Sequence, residues 1–468
     1  MNVSRITHHV SRENTLRADL TRIPLIKTLL VNRWPQFILR AIALAGFVLA
    51  ILAGWLGTPA GSRNFAIVFV WIAWWALLIL TAVPLFGRGW CAICPIPMAG
   101  EWLQNGALLG PRLRNPKSVI RHRLRQWPRR FRNIWLQNAG FMLLALFSAV
   151  VLTQPKVTAV ILAAFLLLAV GTALLFERRA FCRYLCPVGG FIGLYSQAAP
   201  LEVRVRDTAV CASHTTKTCY TGSEDGYGCP WGVFPGGLVK NTNCGLCLEC
   251  LRTCPRDNIA IQFRPAGADL TVARGRRLDE AFKAFIMLGS AMVYAAVMLG
   301  PWGWLKTTAY SIGTAAWWGY AVVFLTAALL LLPGLFWLAV WVGSPQRQNR
   351  RGLRQRFTAH AYALVPLGLA AWIAFSLSFV FANASYIWPV VSDPLGWGWD
   401  LLGTAVTPWT PYLSRLVPVL QMAVLVGGLA WTANTARQIA AEKRGETAVP
   451  VMAYSFFITV GLLWLLVG

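Results

Sequence analysis

Four cysteines lie within eleven residues, in the segment Cys244-Gly-Leu-Cys247-Leu-Glu-Cys250-Leu-Arg-Thr-Cys254-Pro255. This C-x2-C-x2-C-x3-C-P spacing is typical of thiolates that ligate an iron–sulfur cluster. The two-residue gaps let one tight turn direct three sulfurs to the same side, and a proline follows the fourth cysteine. Zinc also binds C-x2-C pairs, but four cysteines this close together, ending in Cys-Pro, favour a cluster. The first hypothesis is therefore iron–sulfur redox chemistry.

Three cysteines upstream of this run predict a second cluster. Where two such clusters occur together, the fourth cysteine of each run ligates the other cluster. Cys229 is followed by Pro230, so it corresponds to the fourth cysteine of the upstream run, the one that ligates the other cluster. One predicted [4Fe-4S] cluster is thus held by Cys229, Cys244, Cys247 and Cys250. The other takes the remaining cysteines, which are Cys211, Cys219 and Cys254.

The second set has three thiolates and lacks a fourth ligand. His214 lies three residues after Cys211, where the second cysteine of a run would be. An imidazole can replace a thiolate on iron, and it then raises the reduction potential. We predict His214 as the fourth ligand. The alternatives are another residue, a cluster with three protein ligands, and a polar loop role for His214.

Two further cysteine pairs lie in a repeated Cys-Pro loop. The first loop reads Trp90-Cys91-Ala-Ile-Cys94-Pro95, and about ninety residues later the second reads Phe181-Cys182-Arg-Tyr-Leu-Cys186-Pro187. Each loop follows a pair of apolar segments, so both loops should lie at the same membrane face. We predict that the four thiols converge on a further iron centre. The alternative is that they are free thiols packed beneath the cluster domain.

Membrane helices must position most of these cysteines. The chain is 57% hydrophobic and only 13% charged, which is typical of an integral membrane protein. Nine segments are long and apolar enough to cross a bilayer, namely 36–57, 65–86, 134–153, 157–176, 282–302, 313–342, 359–383, 414–435 and 448–468. The predicted fold class is an all-α polytopic membrane protein with about nine transmembrane helices and a small cytoplasmic ferredoxin-like α+β insert.

The distribution of lysine and arginine predicts the orientation. With the N-terminus inside, the outer loops hold only Arg63, Lys156, Lys306 and Arg415. The positive-inside rule then places the N-terminus and the insert in the cytoplasm and the C-terminus outside the inner membrane. All eleven cysteines face the cytoplasm, where thiols stay reduced. The net charge of +26 is assigned to contact with anionic lipid rather than with nucleic acid.

The chain divides into a basic arm (1–35), a four-helix membrane repeat (36–198), the [4Fe-4S] insert (199–268) and a C-terminal five-helix membrane region (269–468). The arm is predicted to carry a short surface helix over Leu25–Leu30. Alternating residues predict a strand at Leu201–Val205, and Ile259–Phe263 has the composition of a second strand. Because about seventy residues build little core of their own, clusters should supply much of the insert's folding energy.

Haem is not expected, because bis-histidine ligation needs two facing imidazoles and only His360 lies in or beside a span. His360 is interpreted as an interfacial polar residue, with a quinone contact as the alternative. The sequence shows no nucleophile–base pair and no phosphate-binding loop, so no catalytic residue is assigned.

The chain resembles the membrane polyferredoxins of the NapH, NosR and CcoG group. The motifs that carry this resemblance are Cys91 with Cys94, the Cys182–Pro187 loop and the Cys244–Pro255 run. The resemblance covers about residues 36–268. It implies a membrane electron-transfer protein with two [4Fe-4S] clusters, linked to quinol oxidation or to maturation of a respiratory metalloenzyme.

The predicted function is electron transfer between a quinol pool or cytoplasmic donor and a respiratory or metalloenzyme partner, as a quinol dehydrogenase-type subunit. The alternative is an assembly or maturation factor that reduces or delivers a metal. A third hypothesis is a transporter-like module in the last five spans, energised by the clusters. The expected partners are a quinone or redox protein, membrane lipids and a respiratory complex.

Overall fold

Eight helices in the described part of the chain are long and apolar enough to cross a membrane. The computed structural model describes residues 17–105, 124–223, 226–344, 350–442 and 445–468. The eight helices match eight of the nine predicted spans. The molecule is therefore a membrane protein of mainly helical structure.

The first copy of the repeat is a helical hairpin followed by two short helices. The arm before it carries α1 (Pro24–Val31), and the first copy consists of α2 (Trp34–Leu56), α3 (Phe65–Phe86), α4 (Gly89–Ile93) and α5 (Met98–Asn105). The predicted surface helix is α1, on which Leu25 is 80% exposed. Cys91 lies on α4, and Cys94 ends it.

The second copy has the same order of elements, but its first helix is interrupted. It consists of α6 (Trp135–Leu146), α7 (Ser148–Val151), α8 (Pro155–Leu175), a π-helical turn (Phe181–Leu185) and α9 (Pro187–Tyr195). Phe147 separates α6 from α7, because its ψ angle of 16° leaves the helical range. The third predicted span, 134–153, is thus two short helices rather than one continuous helix.

A three-stranded antiparallel sheet forms the insert, with strand order β1-β3-β2. The strands are β1 (Ala18–Asp19), β2 (Leu201–Val205) and β3 (Ile259–Phe263). Leu201 pairs with Phe263 and Val205 with Ile259, so both predicted strands have the predicted bounds. Three short helices complete the insert: α10 (Thr208–Ser213), α11 (Thr218–Thr221) and α12 (Glu249–Thr253).

The N-terminal arm is bound to this sheet. Ala18 pairs with Phe263, so β1 forms one edge of the sheet although it precedes the first membrane helix. Arg33 binds both carboxylate oxygens of Glu249 at 2.8 and 3.0 Å, which is the bidentate geometry of a strong ion pair. The arm and the insert therefore share one sheet.

The C-terminal region consists of α13 (Leu278–Leu299), α14 (Gly303–Tyr310), α15 (Ala315–Val342), α16 (Arg351–Ser392), α17 (Val417–Ala441) and α18 (Val449–Leu466). His360, on α16, is buried, with Nε2 3.9 Å from Glu446.

Aromatic rings join the repeat to the C-terminal region. Trp372 of α16 is 1% exposed and packs edge-to-face on Trp75 and Phe191, which belong to different copies of the repeat. The indole of Trp75 also donates a hydrogen bond to Ser376 at 2.9 Å. The repeat and the C-terminal helices therefore share one core, which holds the loops of both copies in fixed positions.

Candidate iron–sulfur centres

The Cys244–Cys254 segment is shaped by two left-handed residues. Leu246 and Leu248 have φ angles of +48° and +65°, and each lies between two cysteines. Non-glycine residues rarely adopt this conformation, and strain of this kind concentrates at functional sites. The two reversals wrap the chain so that consecutive cysteines border the same space.

The four cysteines predicted for the first cluster line one cavity. The cavity and its opening to solvent contain about 400 Å³ of space not filled by protein atoms, and its cysteine lining is Cys229, Cys244, Cys247 and Cys250. Apolar residues that include Val203, Val233, Leu246 and Leu248 complete the wall.

Burial places these thiols in an environment that disfavours isolated anions. Burial, with a contribution from the charge on Cys229, raises the pKa of Cys244 to about 11. Burial, with the charges of Cys247 and Cys244, holds the pKa of Cys250 well above its usual value. Iron cations compensate such clustered thiolates, so the donor set suits a cluster.

Trp231 provides a second, independent reason why a cluster would fit the same cavity. Its indole is 2% exposed and lines the cavity, but Nε1 lacks a hydrogen-bond acceptor among the described residues. A Cβ on Gly245 would lie 1.9 Å from Nε1, so only glycine allows the turn to pack on the ring. A cluster in the cavity would offer sulfur acceptors to this buried donor.

We predict that Trp231→Phe lowers the midpoint potential of the first cluster. Hydrogen bonds to cluster sulfurs help set the potential. Loss of one bond to a charged group costs roughly 1.5 kcal/mol, or roughly 60 mV for a one-electron couple. Trp127→Phe is the control, because that indole donates to the Phe131 carbonyl at 2.8 Å instead. An EPR-monitored redox titration in which both variants match the wild type would contradict this role for Trp231.

The second predicted set also comes together. Asn258 connects two of its cysteines, since its side-chain amide donates to Sγ of Cys211 and its backbone N–H to Sγ of Cys254, both at 3.3 Å. Burial raises the pKa of Cys219 to about 11, and the charges of Cys254 and Cys211 contribute. These three thiols are therefore mutual neighbours.

His214 is half-buried at the C-terminal end of α10. Lys217 fixes the local backbone by donating to the carbonyls of Cys211 and His214. Within the described residues the imidazole itself makes no hydrogen bond. The prediction that His214 is the fourth ligand stays a prediction.

No group of three or more His, Cys, Asp or Glu residues in the described ranges could hold a single metal ion. A [4Fe-4S] cluster makes a different demand, because each cysteine binds its own iron and the ligands surround the cluster from outside. A cluster therefore stays the predicted cofactor of these cysteines.

The two Cys-Pro loops also meet. Three of their cysteines, Cys94, Cys182 and Cys186, pack together with apolar side chains that include Phe181 and Ile96. Burial raises the pKa of Cys94 to about 12 and that of Cys186 to about 11, and the charge of Cys91 raises both. We call Cys91, Cys94, Cys182 and Cys186 the loop quartet.

The second loop presents a thiol at a helix N-terminus. The backbone N–H of Gly189 donates to Sγ of Cys186 at 3.2 Å, so this cysteine caps α9. The positive end of the helix dipole and this N–H both favour the thiolate, which is the form that binds iron.

Arg179 ties the first loop to the rest of the site. Its side chain is 2% exposed, forms an ion pair with Glu101 and donates to the Cys91 carbonyl at 2.9 Å. Arg40 donates to the Ala92 carbonyl at 2.7 Å and also binds Glu101. The charge of Arg179 acts on Cys182 and on Cys247, so the loop quartet and the first cluster site are neighbours.

Sequence reasoning missed Trp231, Asn258 and the Arg179–Glu101 pair. Two signals were present. Trp231 directly follows Cys229-Pro230, and Glu101 is the sole acidic residue between Asp19 and Glu177. An isolated acid among so many basic residues indicates a required ion pair.

Comparison with known proteins points to the loop quartet. Segments 67–116 and 158–204, which contain the loop quartet, match a family described as a 4Fe-4S binding domain. Over 85 residues, or 18% of the chain, the sequence is 31% identical to YccM of Escherichia coli (strain K12), which is named an electron transport protein. This match spans 21% of that relative's length. No solved structure matches the chain. The matches support 4Fe-4S binding in a membrane protein.

Proposed function

We propose that the chain is a membrane-bound iron–sulfur electron-transfer protein similar in function to the NapH, NosR and CcoG group. The observation that carries the proposal is the cavity lined by Cys229, Cys244, Cys247 and Cys250. Four partly buried thiols around one space suit a cluster, and a cluster exchanges single electrons. The similarity to an electron transport protein supports the same role.

We assign two [4Fe-4S] clusters to the insert and a third iron centre to the loop quartet. The first cluster has four cysteine ligands. The second has Cys211, Cys219 and Cys254, with His214 as the proposed fourth ligand. Cys182 of the quartet and Cys247 of the first cluster site both act on the charge of Arg179, and this proximity supports electron transfer between the two sites.

His214→Ala and His214→Cys test the fourth ligand. We expect His214→Ala to remove or strongly perturb the EPR signal of the second cluster. His214→Cys should restore a cluster of lower potential, because a thiolate replaces an imidazole. Unchanged spectra and potentials in both variants would remove His214 from the ligand set.

The paired substitution Cys94→Ala and Cys186→Ala tests the third centre. We expect the variant to lose the quartet's iron while the EPR signals of both insert clusters remain. Iron and acid-labile sulfide analysis of anaerobically purified protein measures the loss. An iron content equal to that of the wild type would show that the quartet holds no metal.

A cleft lies beside the first cluster site. Its position supports the proposal that the electron donor is a quinol or a short segment of a redox protein. The cleft contains about 680 Å³ of space, and its lining includes Arg33, Arg40, Glu101, Arg179 and Cys247. The cleft opens beside the start of α2, at one end of a membrane span. A quinol held there would be next to a cluster ligand.

The decisive experiment combines EPR spectroscopy with redox titration of the full-length protein. Signals that titrate with one electron, together with inorganic sulfide, would support the proposal. Potentials near those of quinones would favour the quinol pool, whereas values near −400 mV would favour a ferredoxin-like donor. Colourless protein without sulfide after anaerobic purification would refute electron transfer by clusters.

We further propose that the N-terminus and insert face the cytoplasm and that the C-terminus lies outside. The lysine and arginine distribution supports this orientation. Reporter fusions at Gly468 and in the insert test it, and an insert fusion active only in the periplasm would reverse it.

A further inference from the structure

Lys283 is a buried cation in the C-terminal region. It lies on α13, a helix long and apolar enough to span a membrane, and it is 0% exposed. Its ammonium lies 4.8 Å from the ring centroid of Phe141 and donates to the Gln137 carbonyl at 3.3 Å. It forms no ion pair with a carboxylate among the described residues. Burying an ammonium is costly, so a nearby anion must compensate it.

The second Cys-Pro loop lies beside this ammonium. Cys186 is the cysteine whose charge acts on Lys283. Gly190 lies one turn after Cys186, and its N–H donates to the Cys186 carbonyl at 3.0 Å. A Cβ on Gly190 would lie 3.0 Å from Nζ of Lys283. Because glycine has no side chain, the ammonium can pack directly against α9.

Gln137 extends this contact to the other cysteine of the loop. Its side-chain amide donates to the Cys182 carbonyl at 3.1 Å, while its own backbone carbonyl accepts from Lys283. Gln137 is 2% exposed, so the arrangement excludes water. Lys283 thus acts on Cys186 through charge and is connected to Cys182 through Gln137.

We propose that Lys283 is a positioning residue whose positive charge stabilises the reduced form of the loop-quartet centre. The inference rests on the proposed third centre. Each one-electron reduction takes an electron from the donor and adds one negative charge to the centre. A fixed ammonium in a low-dielectric environment favours that state.

The other cations near the loops already have partners. Arg179 is paired with Glu101, and Arg88 donates to the carbonyls of Thr242 and Gly189. Lys283 alone comes from the C-terminal region, so this inference gives that region a part in the redox site.

Lys283→Met and Lys283→Arg in the full-length protein test the inference. The quartet signal is identified as the EPR signal that Cys94→Ala with Cys186→Ala removes. At a fixed applied potential, we expect Lys283→Met to lower the ratio of reduced to oxidised quartet centre at least tenfold. This corresponds to a midpoint potential lowered by 59 mV for a one-electron couple. Lys283→Arg keeps the charge and should stay within about twofold. The insert clusters should be unchanged in both.

The outcomes separate the two proposals. If the wild type has no quartet signal, the third centre fails, and the role of Lys283 fails with it. If the signal is present but its potential is the same in Lys283→Met, only the role of Lys283 is overturned. A Lys283→Met protein that loses the insert signals as well has not assembled, and Lys283→Gln then provides the neutral variant for the same comparison.

Discussion

Cys247→Ala should remove one complete cluster and leave the other centres in place. The four thiols of the first set border a single cavity, and loss of one of them leaves an iron without its protein ligand. We expect the variant to lose about four iron and four sulfide per chain. Iron and sulfide analysis with EPR measures the change. The insert should also lose stability, because it has little core besides its clusters.

Cys254→Ala is the matched control for this prediction. It lies in the same run, but Asn258 connects it to Cys211 rather than to the first cavity. We expect it to remove a different EPR signal, that of the second cluster. If Cys247→Ala and Cys254→Ala abolish the same signal, the prediction that Cys254 ligates the second cluster is wrong.

Arg179→Met should destabilise the folded protein by about 1.5–3 kcal/mol, because Glu101 loses one of its two charged hydrogen-bond partners and keeps only Arg40. It also removes the hydrogen bond to the Cys91 carbonyl. Thermal unfolding in detergent measures the change. The double variant Arg179→Met, Glu101→Gln should lose less stability than the sum of the two single losses, since both substitutions remove the same ion pair. A loss in the double variant that equals or exceeds that sum would contradict this account.

The same ion pair predicts a dependence on pH. Burial alone would raise the pKa of Glu101, but the charges of Arg179 and Arg40 outweigh it and lower the pKa below the usual 4.5. The stabilisation from Glu101 is therefore fully present above pH 4.5 and is lost as the pH falls through the lower folded-state value. Glu101→Gln should flatten the stability profile in that acidic range.

The periodic and motif-bearing parts of the molecule were predictable from the sequence. Spans such as 65–86 follow from length and hydropathy, and the strands Leu201–Val205 and Ile259–Phe263 follow from alternation and from the preceding motif. Cysteine spacing grouped Cys229 with Cys244, Cys247 and Cys250, and these four residues line one cavity in the structure. Their role as cluster ligands stays a prediction.

Features that depend on tertiary packing were not predictable. No proline or glycine lies between Gly140 and Pro155, so the interruption at Phe147 has no local sequence signal. The neighbourhood of Lys283 and Cys186 joins residues almost one hundred positions apart on separate helices. The partnership of Trp231 with Gly245 depends on a close approach that only the folded insert creates.

The edge strand β1 has a consequence for biogenesis. Ala18 and Asp19 leave the ribosome long before Phe263 and Gln262, their partners in the sheet. The first four apolar segments are therefore translated while that edge has no partner, so the sheet closes late in synthesis. A fragment restricted to 199–268 would also lack the contacts of Arg17 with Glu202 and of Asp19 with Arg206. Expression of the isolated insert therefore needs residues 17–33 supplied on the same polypeptide or as a separate peptide.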